Sequence, residues 1–552
     1  MKPIILLLFS AGIWACHKNN AGGSAPPPAP EVFRIESSTV NGASGTAVNY
    51  GVATTPKISI LLSAPVNRAT ANSILFNTAA GVAIPYNLSF EKNDSVVNLQ
   101  PATPLPFLTK FNVAVSTALQ SKSNKSLENS ATITFITSID SADKFARISD
   151  TALVELVQKQ TFRYFWEFGH PVSGLARERN TSGDVVTSGG SGFGIMAIIT
   201  GISRNFISRA EGLQRLQTMV GFLKNSAETF HGAFPHWLNG ATGKTVPFST
   251  KDNGADLVET SFLMQGLLCA RQYFNGADAA ESTLRADINS LWNAVEWSWF
   301  RKNNENVLYW HWSRDYQWDM NLPVRGWNEC LVTYVLAASS PSYSIPKIVY
   351  ESGWAQNGGM KNGNIYFGYP LPLGPVLGGP LFFAHYSFLG LNPFGLTDQY
   401  ADYQVQVVNH TKINYEYCRA NPRNYYGYSD QCWGLTASDI PNGYTASSPT
   451  NDIGVIAPTA ALSSFPYTPA ESMNALRFFY YKLGDKLWGP HGFYDAFSLH
   501  DQWFASSYLA IDQGPIVVML ENYRTGLLWK LLMSCPEVKS GLTKLGFQSP
   551  NI

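Results

Sequence analysis

The chain lacks several features that would place it in a common class of protein. Its 552 residues carry 39 Lys plus Arg and 39 Asp plus Glu, so the formal net charge is zero, and only 14% of the residues are charged. This balance provides no basic surface for nucleic acid and no polybasic surface for a membrane. The 45% content of hydrophobic residues excludes a fully disordered chain. At roughly 100–200 residues per domain, we expect two or more domains.

Cysteine and metal-binding motifs are also scarce. The chain has 6 Cys and 9 His, without HExxH or CxxC spacing, and it has no Walker motif, GxSxG elbow or complete GxGxxG motif. We therefore expect neither a metal site nor a cofactor. Five cysteines beyond Cys16 are too few, and odd in number, for a disulfide scaffold. They are Cys269, Cys330, Cys418, Cys432 and Cys535. Only Cys418 and Cys432 suit a bridge, and the others are expected as buried thiols.

The N-terminus resembles an export signal. Residues 3–15 form an apolar run that is too short to span a bilayer. The following IWAC resembles a lipobox that ends at a lipidated Cys16. We expect residues 1–16 to be a lipoprotein signal peptide and residues 17–30, which are rich in Gly and Pro, to be a flexible tether. The predicted location is outside the cytoplasm, with a lipid anchor in a bacterial membrane, in the periplasm or at the outer membrane.

Residues 31–138 have the alternating pattern of strands. Apolar and polar residues alternate in segments 57–66, 95–101, 110–116 and 131–137, with Pro, Asn and Ser between them. This spacing predicts an all-β sandwich. The phrases ISILLSAPVNRAT, LQPATPLPFLTKFNVAVS and ATITFIT resemble a bacterial Ig-like domain of the S-layer type. That resemblance implies a spacer or adhesion module, and we assign no chemistry to it.

Residues 141–552 have helical periodicity. Nine long segments are predicted as helices: 142–168, 191–202, 210–230, 255–274, 281–300, 326–338, 398–420, 469–483 and 515–530. Three shorter ones are 345–353, 379–387 and 452–461. About twelve helices predict an all-α (α/α)6 toroid, and its long loops are expected to be functional. The aromatic content of 13% suits either a large core or the stacking of sugar rings.

The most informative segment is KDNGADLVETSFLMQGLL, residues 251–268. Asp252, Asp256 and Glu259 recur at i, i+4 and i+7, which on a helix places three carboxylates within an arc of roughly 60°. Like charges so placed repel, so we interpret the trio as functional. The alternative is that Asp252 caps the helix and the other two interact with its dipole. It explains Glu259 poorly, because that residue lies two turns later among apolar residues.

A second cluster is HWSRDYQWDMNLPVRGWNEC, residues 311–330. Glu329 is predicted to begin an apolar helix beside Trp327, where partial desolvation raises the pKa of a carboxyl and suits a general acid. The alternative is a glutamate stabilised by the helix dipole. Candidate sugar-binding residues in and before this cluster are Trp310, Trp312, Arg325 and Trp327.

Two further groups carry candidates. Asp495, Asp501 and Asp512 lie in aromatic sequence near the C-terminus, and each could be a turn or cap residue. We expect one of them to face the site. Residues 162–180 contain Arg163, Arg177 and Arg179, which either hold sugar hydroxyls or form a solvated charge run.

Six phrases of the helical region carry a family resemblance: FRYFWEFGHPVSGLARERN, SGGSGFGIMAIITGISR, HWLNGATGKTVPFSTKDNGADLVETSFLMQGLL, RGWNEC, GFYDAFS and AIDQGP. They resemble, in order, the glucoamylase-like domain of bacterial lipoproteins, glycoside hydrolase family 144. The resemblance implies an (α/α)6 fold and an inverting β-1,2-glucan hydrolase without cofactor, either endo-acting or an exo-acting enzyme that releases sophorose. By motif, the family's acidic trio maps onto Asp252, Asp256 and Glu259, its downstream glutamate onto Glu329, and its late aspartate onto Asp495, Asp501 or Asp512. His236, which begins the third phrase, joins the binding candidates.

The resemblance leads to a mechanism with two carboxyl groups. In an inverting hydrolase one carboxylic acid protonates the leaving oxygen, and a carboxylate about 6.5–9.5 Å away activates water. We assign Glu329 as the acid and the late aspartate as the base, although a member of the trio could be the base instead. The expected partners are β-1,2-linked glucan or sophoro-oligosaccharides, and we expect a monomer.

Two other functions are alternatives to hydrolysis. A polysaccharide lyase on the same toroid must neutralise a substrate carboxylate, which so many acids would repel. A non-catalytic glycan-binding lipoprotein would keep the aromatic residues but has no need of the acidic trio.

Overall fold

The computed structural model describes residues 32–552 in two compact units. The first extends to Leu105 and includes Lys110–Ile136, and the second comprises Pro106–Thr109 and Thr137–Ile552. The predicted signal peptide, Cys16 and the tether of residues 17–30 lie outside the described residues. No helix within residues 32–552 combines the length and apolarity that a membrane span requires.

The first unit is built from β-strands in two sheets. A five-stranded antiparallel sheet has the order β2-β1-β4-β7-β6, and a four-stranded sheet has the order β3-β9-β8-β5. The strands are β1 Ile35–Val40, β2 Ala43–Ser44, β3 Asn49–Val52, β4 Ile58–Leu62, β5 Ile74–Thr78, β6 Tyr86–Glu91, β7 Val96–Pro101, β8 Lys110–Val115 and β9 Ala131–Thr137.

One hydrophobic core joins the two sheets. Alternate residues of β4, including Ile58 and Ile60, are buried, and so are Phe111 and Val113 of β8. All four belong to the same buried cluster. Period-two sequences place one face of each strand toward this cluster. The predicted segments 57–66, 95–101, 110–116 and 131–137 contain β4, β7, β8 and β9.

The second unit is mainly helical. Its helices are α1 Asp150–Trp166, α2 Ser188–Ser203, α3 Arg209–Asn225, α4 Leu257–Tyr273, α5 Ala279–Ala294, α6 Leu331–Ser339, α7 Lys347–Val349, α8 Tyr403–Ala420, α9 Pro458–Leu462, α10 Pro469–Arg477, α11 Gly484–Leu487, α12 Ala510–Thr525, α13 Leu527–Met533 and α14 Pro536–Leu545. The last helix was not predicted. The predicted helix 515–530 is two helices, because Gly526 with φ 67° ends α12.

Buried and half-exposed helices alternate along the first half of this unit. In α2, α4 and α6 almost every residue is buried, whereas α3 and α5 bury only one face. α2 packs between α4 and α12, and α4 also packs on α6. The apolar sequences of α2 and α6 match this, since a helix that is apolar on all sides is stable only when surrounded. These inner helices carry the site residues at their N-terminal ends.

Short paired strands connect the helices. They are β10 Val185–Thr187, β11 Trp237–Asn239, β12 Thr245–Val246, β13 Ala255–Asp256, β14 His311–Trp312, β15 Ile365–Tyr366, β16 Tyr369–Pro370, β17 Ala437–Ile440, β18 Gly443–Ala446, β19 Trp488–Gly489, β20 Gly492–Phe493, β21 Phe497–Ser498 and β22 Trp503–Phe504. The five cysteines of the helical unit are buried free thiols, so the bridge considered for Cys418 and Cys432 is not formed.

Candidate active site

A cavity of about 380 Å³ lies at the N-terminal ends of the inner helices. Its walls come from segments that are distant in sequence. Charged and polar lining residues include Glu178, Arg179, Thr187, His236, Glu259 and Glu329, and aromatic ones include Trp237, Phe248, Phe262, Trp310, Phe382, Tyr386 and Tyr444. A mixture of carboxylates, one arginine and many rings is suited to a polyhydroxylated ligand.

The acidic trio is gathered by a strand pair and a helix start, and not by one helix face. Asp256 ends β13 and caps α4, where its Oδ1 atom accepts from the backbone N–H of Glu259 at 2.9 Å. Asp252 precedes β13 in a loop. The prediction of one helical face was therefore wrong, because α4 begins only at Leu257. Pairing of β13 with β14 places His311 opposite Asp256.

Two histidines bridge the aspartates. His311 Nε2 lies 2.9 Å from Asp252 Oδ2 and 3.3 Å from Asp256 Oδ2, and His236 Nδ1 lies 3.1 Å from the same Asp256 oxygen. Burial alone would lower the pKa of both imidazoles, but the carboxylates raise the pKa of His236 to about 9 and that of His311 to about 10. Burial likewise opposes ionisation of Asp256, yet its hydrogen bonds to both histidines lower its pKa. The cluster is therefore an ionised network that compensates much of its own charge.

Glu259 faces the cavity from the first turn of α4. Its Oε2 atom accepts from the backbone N–H of Gly189 at 2.8 Å and from Thr187 Oγ1 at 3.3 Å. Gly189 lies in the first turn of α2, so this carboxylate interacts with the N-terminus of a neighbouring helix. Burial nevertheless raises the pKa of Glu259. The alternative interpretation, that a helix dipole stabilises Glu259, thus applies in part, because the carboxylate lies at the N-termini of both α4 and α2.

Glu329 lines the cavity as a buried carboxyl, with only 9% of the residue exposed. It precedes α6 by two residues, so the prediction that Glu329 begins this helix was wrong. Within residues 32–552, no other side chain hydrogen-bonds to its carboxyl group. Burial raises its pKa to about 7, and the charges of Glu259 and Asp256 add to the rise. A carboxyl in this state holds its proton near neutral pH, as a general acid must.

Arg179 is held between two carboxylates. Its Nε atom donates to both oxygens of Glu178 at 3.0 and 2.9 Å, and its Nη1 atom lies 3.2 Å from both oxygens of Asp439. Asp439 belongs to β17, whose hairpin with β18 places Tyr444 opposite it. Both Arg179 and Tyr444 line the cavity.

Of the three late aspartates, the structure brings two together. Asp495 and Asp512 are both buried, and burial raises the pKa of Asp495 to about 7 and that of Asp512 well above its usual range, to which the charge of Asp495 contributes. Asp495 Oδ2 accepts from the N–H of Asp439 at 2.7 Å. Asp512 lies in the first turn of α12, next to Ile511 of the cavity wall. Asp501 is exposed and bonded to Ser498 in a turn, away from the pair.

Several predicted binding residues lie outside the cavity walls. Arg163 pairs with Glu167 on α1, and Arg177 donates to Gly183 O and lies over the ring of Phe168. Trp312 packs on His231 and Trp299, Arg325 is exposed, and Trp327 is buried against Trp354 and Phe388. Trp327 is thus a core residue, because its ring is surrounded by other rings. Arg179, His236 and Trp310 do line the cavity.

Three ligand atoms of His236, Asp252 and Asp256 lie within 4.8 Å of one another, so these residues could hold a metal ion. The same carboxylate oxygens already accept from two histidines. The raised pKa of both imidazoles keeps protons on the nitrogens, and a metal would need those nitrogens deprotonated.

Sequence reasoning missed His311, Trp237, Phe248, Tyr386 and Tyr444 as site residues. His311 begins the second acidic cluster, and Trp237 follows His236 directly. Alternation in HWS could have indicated the strand that pairs with Asp256. Phe248 stacks on His236 with ring centroids 4.2 Å apart. Tyr386 lies in the predicted short helix 379–387 and Tyr444 in a hairpin, and neither segment indicates a site, so only the tertiary fold brings them to the cavity.

Comparisons with known proteins identify similar chains. The family model named Glycoamylase matches residues 321–536. The exo-β-1,2-glucooligosaccharide sophorohydrolase (non-reducing end) of Parabacteroides distasonis is 49% identical over 421 residues, which are 72% of this chain and 58% of the relative. The chain thus spans somewhat more than half the length of that curated relative.

Two solved structures share the fold. The endo-β-1,2-glucanase of Chitinophaga pinensis, determined with sophorotriose and glucose, is 55% identical with a TM-score of 0.72, and the match covers 74% of this chain and all of that one. A β-1,2-glucanase of Parabacteroides distasonis is 39% identical with a TM-score of 0.71, over 93% of this chain and 73% of that one. The chain therefore belongs to the glucoamylase-like family of these enzymes, glycoside hydrolase family 144.

Proposed function

We propose that the protein hydrolyses β-1,2-linked glucan or sophoro-oligosaccharides with inversion at the anomeric carbon. The observation that carries the proposal is the buried Glu329 carboxyl, whose pKa of about 7 meets the requirement for a proton donor, in a cavity that also contains an ionised network. The names of the relatives supply the substrate class. Environments that push the pKa values of neighbouring carboxyl groups apart are the usual basis of acid and base roles.

Glu329 is the proposed general acid. Its carboxyl lines the cavity with no competing side-chain partner among residues 32–552, so its proton is available to the leaving oxygen. Arg179, His236 and Trp310 are the proposed sugar-binding residues, since each lines the same cavity. The Asp252–Asp256 pair holds His236 in place, and Glu259 adds negative charge beside that imidazole.

The Asp495–Asp512 pair is the proposed source of the general base. Burial raises the pKa of both carboxyl groups; Asp495 raises the pKa of Asp512 further, whereas a hydrogen bond from Asp512 lowers that of Asp495. The pair therefore retains one proton on Asp512 and can carry one negative charge on Asp495 near neutral pH. Asp495 Oδ1 and Asp512 Oδ2 have no hydrogen-bond partner among the described residues. The charge of Asp512 acts on the hydroxyl of Tyr386, and the charges of Asp512 and Asp495 both act on that of Tyr444. Both tyrosines line the cavity. Both carboxyl groups thus lie near the cavity wall.

We also infer finer features of the fold and location. The two facing sheets suit an Ig-like sandwich over residues 31–138, and the alternation of buried and one-sided helices suits an (α/α)6 toroid over residues 141–552. IWAC supports export and a lipid anchor at Cys16, and incorporation of labelled fatty acid, lost in Cys16→Ala, would test it.

The test of function is incubation with linear β-1,2-glucan followed by a reducing-sugar assay. New reducing ends are expected. Unsaturated products that absorb in the near ultraviolet would indicate a lyase, and binding without products would indicate a glycan-binding protein. Products at early times separate the modes of action: a ladder identifies endo cleavage, and sophorose alone identifies exo cleavage.

A further inference from the structure

A second groove adjoins the cavity. It has a volume of about 500 Å³ and shares Arg179 and Tyr444 with the cavity wall. Its other lining residues include Thr181, Trp503 and Ser506. Thr181, Tyr444 and Ser506 are exposed, so the groove opens to solvent. Because the same two side chains line both spaces, the groove begins where the cavity ends.

The groove has the chemistry of a sugar site. In the described part of the chain, no group hydrogen-bonds to the side-chain hydroxyls of Thr181 and Ser506 or to the indole N–H of Trp503. Trp503 is half-buried and presents a flat ring with a polar edge, which is the usual surface for the apolar face of a sugar. The free hydroxyls line the same groove as that ring. An aromatic surface with a few convergent polar groups is typical of ligand pockets.

The shared wall is fixed in place. Arg179 is oriented by Glu178 and Asp439, and Asp439 also accepts from Ser507 Oγ at 2.5 Å and donates its N–H to Asp495. These bonds use Nε and Nη1 of Arg179, and no described residue accepts from Nη2. A positioned guanidinium with free N–H groups can bind hydroxyls of a sugar that crosses from one space to the other.

We propose that this groove is an additional carbohydrate-binding subsite, which holds glucose units of the same β-1,2-glucan chain beyond those in the cavity. The proposal rests on the proposed function, because it assumes the same substrate. Its consequence is a dependence on chain length. Oligosaccharides long enough to reach Trp503 should be cleaved more efficiently than those that fill only the cavity.

The experiment compares kcat/KM over a series of β-1,2-gluco-oligosaccharides of increasing length, for the full chain and for Trp503→Ala. We expect the variant to lose about tenfold on the longest substrates and nothing on the shortest, as removal of one aromatic contact produces. Trp503→Phe keeps a flat ring, so its kcat/KM should still rise with oligosaccharide length, although less than that of the unmodified chain. Tyr343→Ala is the matched control, because it removes an exposed ring that lines neither space.

Each outcome decides the proposal. An equal loss at every length would make Trp503 a structural residue and overturn the subsite, and so would an unchanged length profile with normal thermal unfolding. If the unmodified protein cleaves no β-1,2-glucan at any length, the proposed function fails, and the subsite fails with it. Active wild-type enzyme with an unaltered Trp503→Ala profile isolates the failure to the groove.

Discussion

The Oε2 atom of Glu259 accepts a hydrogen bond of 2.8 Å from the backbone N–H of Gly189. These residues belong to the neighbouring helices α4 and α2. A Cβ atom on Gly189 would lie far inside van der Waals contact of that same oxygen. The close approach therefore requires glycine, and the start of one inner helix fixes a cavity carboxylate of the next.

Gly189→Ala should displace the Glu259 carboxylate and lower kcat/KM. A displacement of about 1 Å at a binding group can cost about 100-fold, and we expect a loss of that order in steady-state assays on β-1,2-gluco-oligosaccharides. Gly221→Ala in α3 is the control, since its Cβ would meet nothing within 4 Å. That variant should keep full activity and gain about 1 kcal/mol of stability. Normal activity of Gly189→Ala would remove Glu259 from substrate binding.

Glu329→Gln should abolish most turnover while preserving binding. The amide keeps the shape of the side chain but has no acidic proton, and general acid catalysis contributes about 10²–10⁴-fold. Single-turnover rates and oligosaccharide affinities measure the two effects separately. Glu259→Gln should weaken both, because that residue lines the same cavity as the proposed sugar-binding residues. Near-normal turnover of Glu329→Gln would show that the general acid is another residue, and Asp252, Asp256 and Glu259 would be the next candidates.

The pH profile provides an independent check on the acid. Burial raises the pKa of Glu329 to about 7, so its protonated, active form declines as pH rises through about 7. Turnover of the wild type should fall along this basic limb. Asp495 also has a pKa of about 7, but a base is active when ionised, so its titration produces the opposite, acidic limb. Residual activity of Glu329→Gln should lack the basic limb.

The sequence predicted the chemical groups of the site better than their arrangement. Asp252, Asp256, Glu259 and Glu329 were identified from clustered acids and a desolvated position, and all lie in or beside the cavity. The prediction that the trio lies on one helical face was wrong, because Asp256 is the cap of α4 and the helix itself begins at the next residue, Leu257. His311 was missed because its role depends on β13 pairing with β14, a tertiary contact without a local signal.

His311→Gln should destabilise the helical unit strongly. The change removes the nearest cation of the buried Asp252 and leaves Asp256 with His236 alone, and removal of one partner from a buried ion pair costs about 3–5 kcal/mol. Residues 32–136 contain no Trp, so tryptophan fluorescence during urea unfolding follows the helical unit. His231→Gln breaks a half-exposed pair with Glu296 and should cost less than about 1 kcal/mol. Equal losses of unfolding free energy in the two variants would show that the buried pairing of His311 with Asp252 and Asp256 does not stabilise the helical unit.

Stability should also fall with rising pH. The pKa of His311 is raised from 6.5 to about 10 in the folded protein, so folding favours the protonated imidazole. This contribution is complete below about pH 6.5 and is lost progressively as the pH rises toward 10. The free energy of unfolding of the wild type should therefore decline over that interval more steeply than that of His311→Gln.

Activity should survive prolonged chelation. Protonated His236 and His311 occupy the carboxylate oxygens that a metal would use. Turnover after dialysis against chelator should equal that of the untreated enzyme. Loss with recovery on adding Ca²⁺ or Zn²⁺ would make His236, Asp252 and Asp256 a metal site.

The first unit should be dispensable for chemistry. Every residue of the cavity belongs to the helical unit, and the sheets have their own core. A chain that starts near Ser141 should keep its turnover on soluble oligosaccharides. A folded but inactive truncation would show that the sheet unit completes the site.

Prediction of the fold followed the strength of the local pattern. Strands β4, β7, β8 and β9 were predicted because their apolar residues alternate. β6 alternates as well, with the sequence YNLSFE, but was not predicted, whereas β1 is largely polar and gives no such pattern. Helix ends were displaced where a cap or glycine decides them, as at Asp256 and Gly526. No sequence pattern indicated that Tyr386 or Tyr444 belongs to the site, because their positions depend on contacts across the unit.

Pairing of β13 with β14 also bears on the order of folding. Asp256 and His311 are separated in sequence by the whole of α4 and α5, and closure of so long a segment costs entropy before the contact compensates for it. Until β14 docks, Asp252 and Asp256 have only the His236 imidazolium beside them, and burial of both carboxylates is unfavourable without the second cation. Desolvation of the site must therefore follow this closure. A partly folded chain keeps its acids hydrated and has no formed cavity, so catalytic activity reports completion of the helical unit.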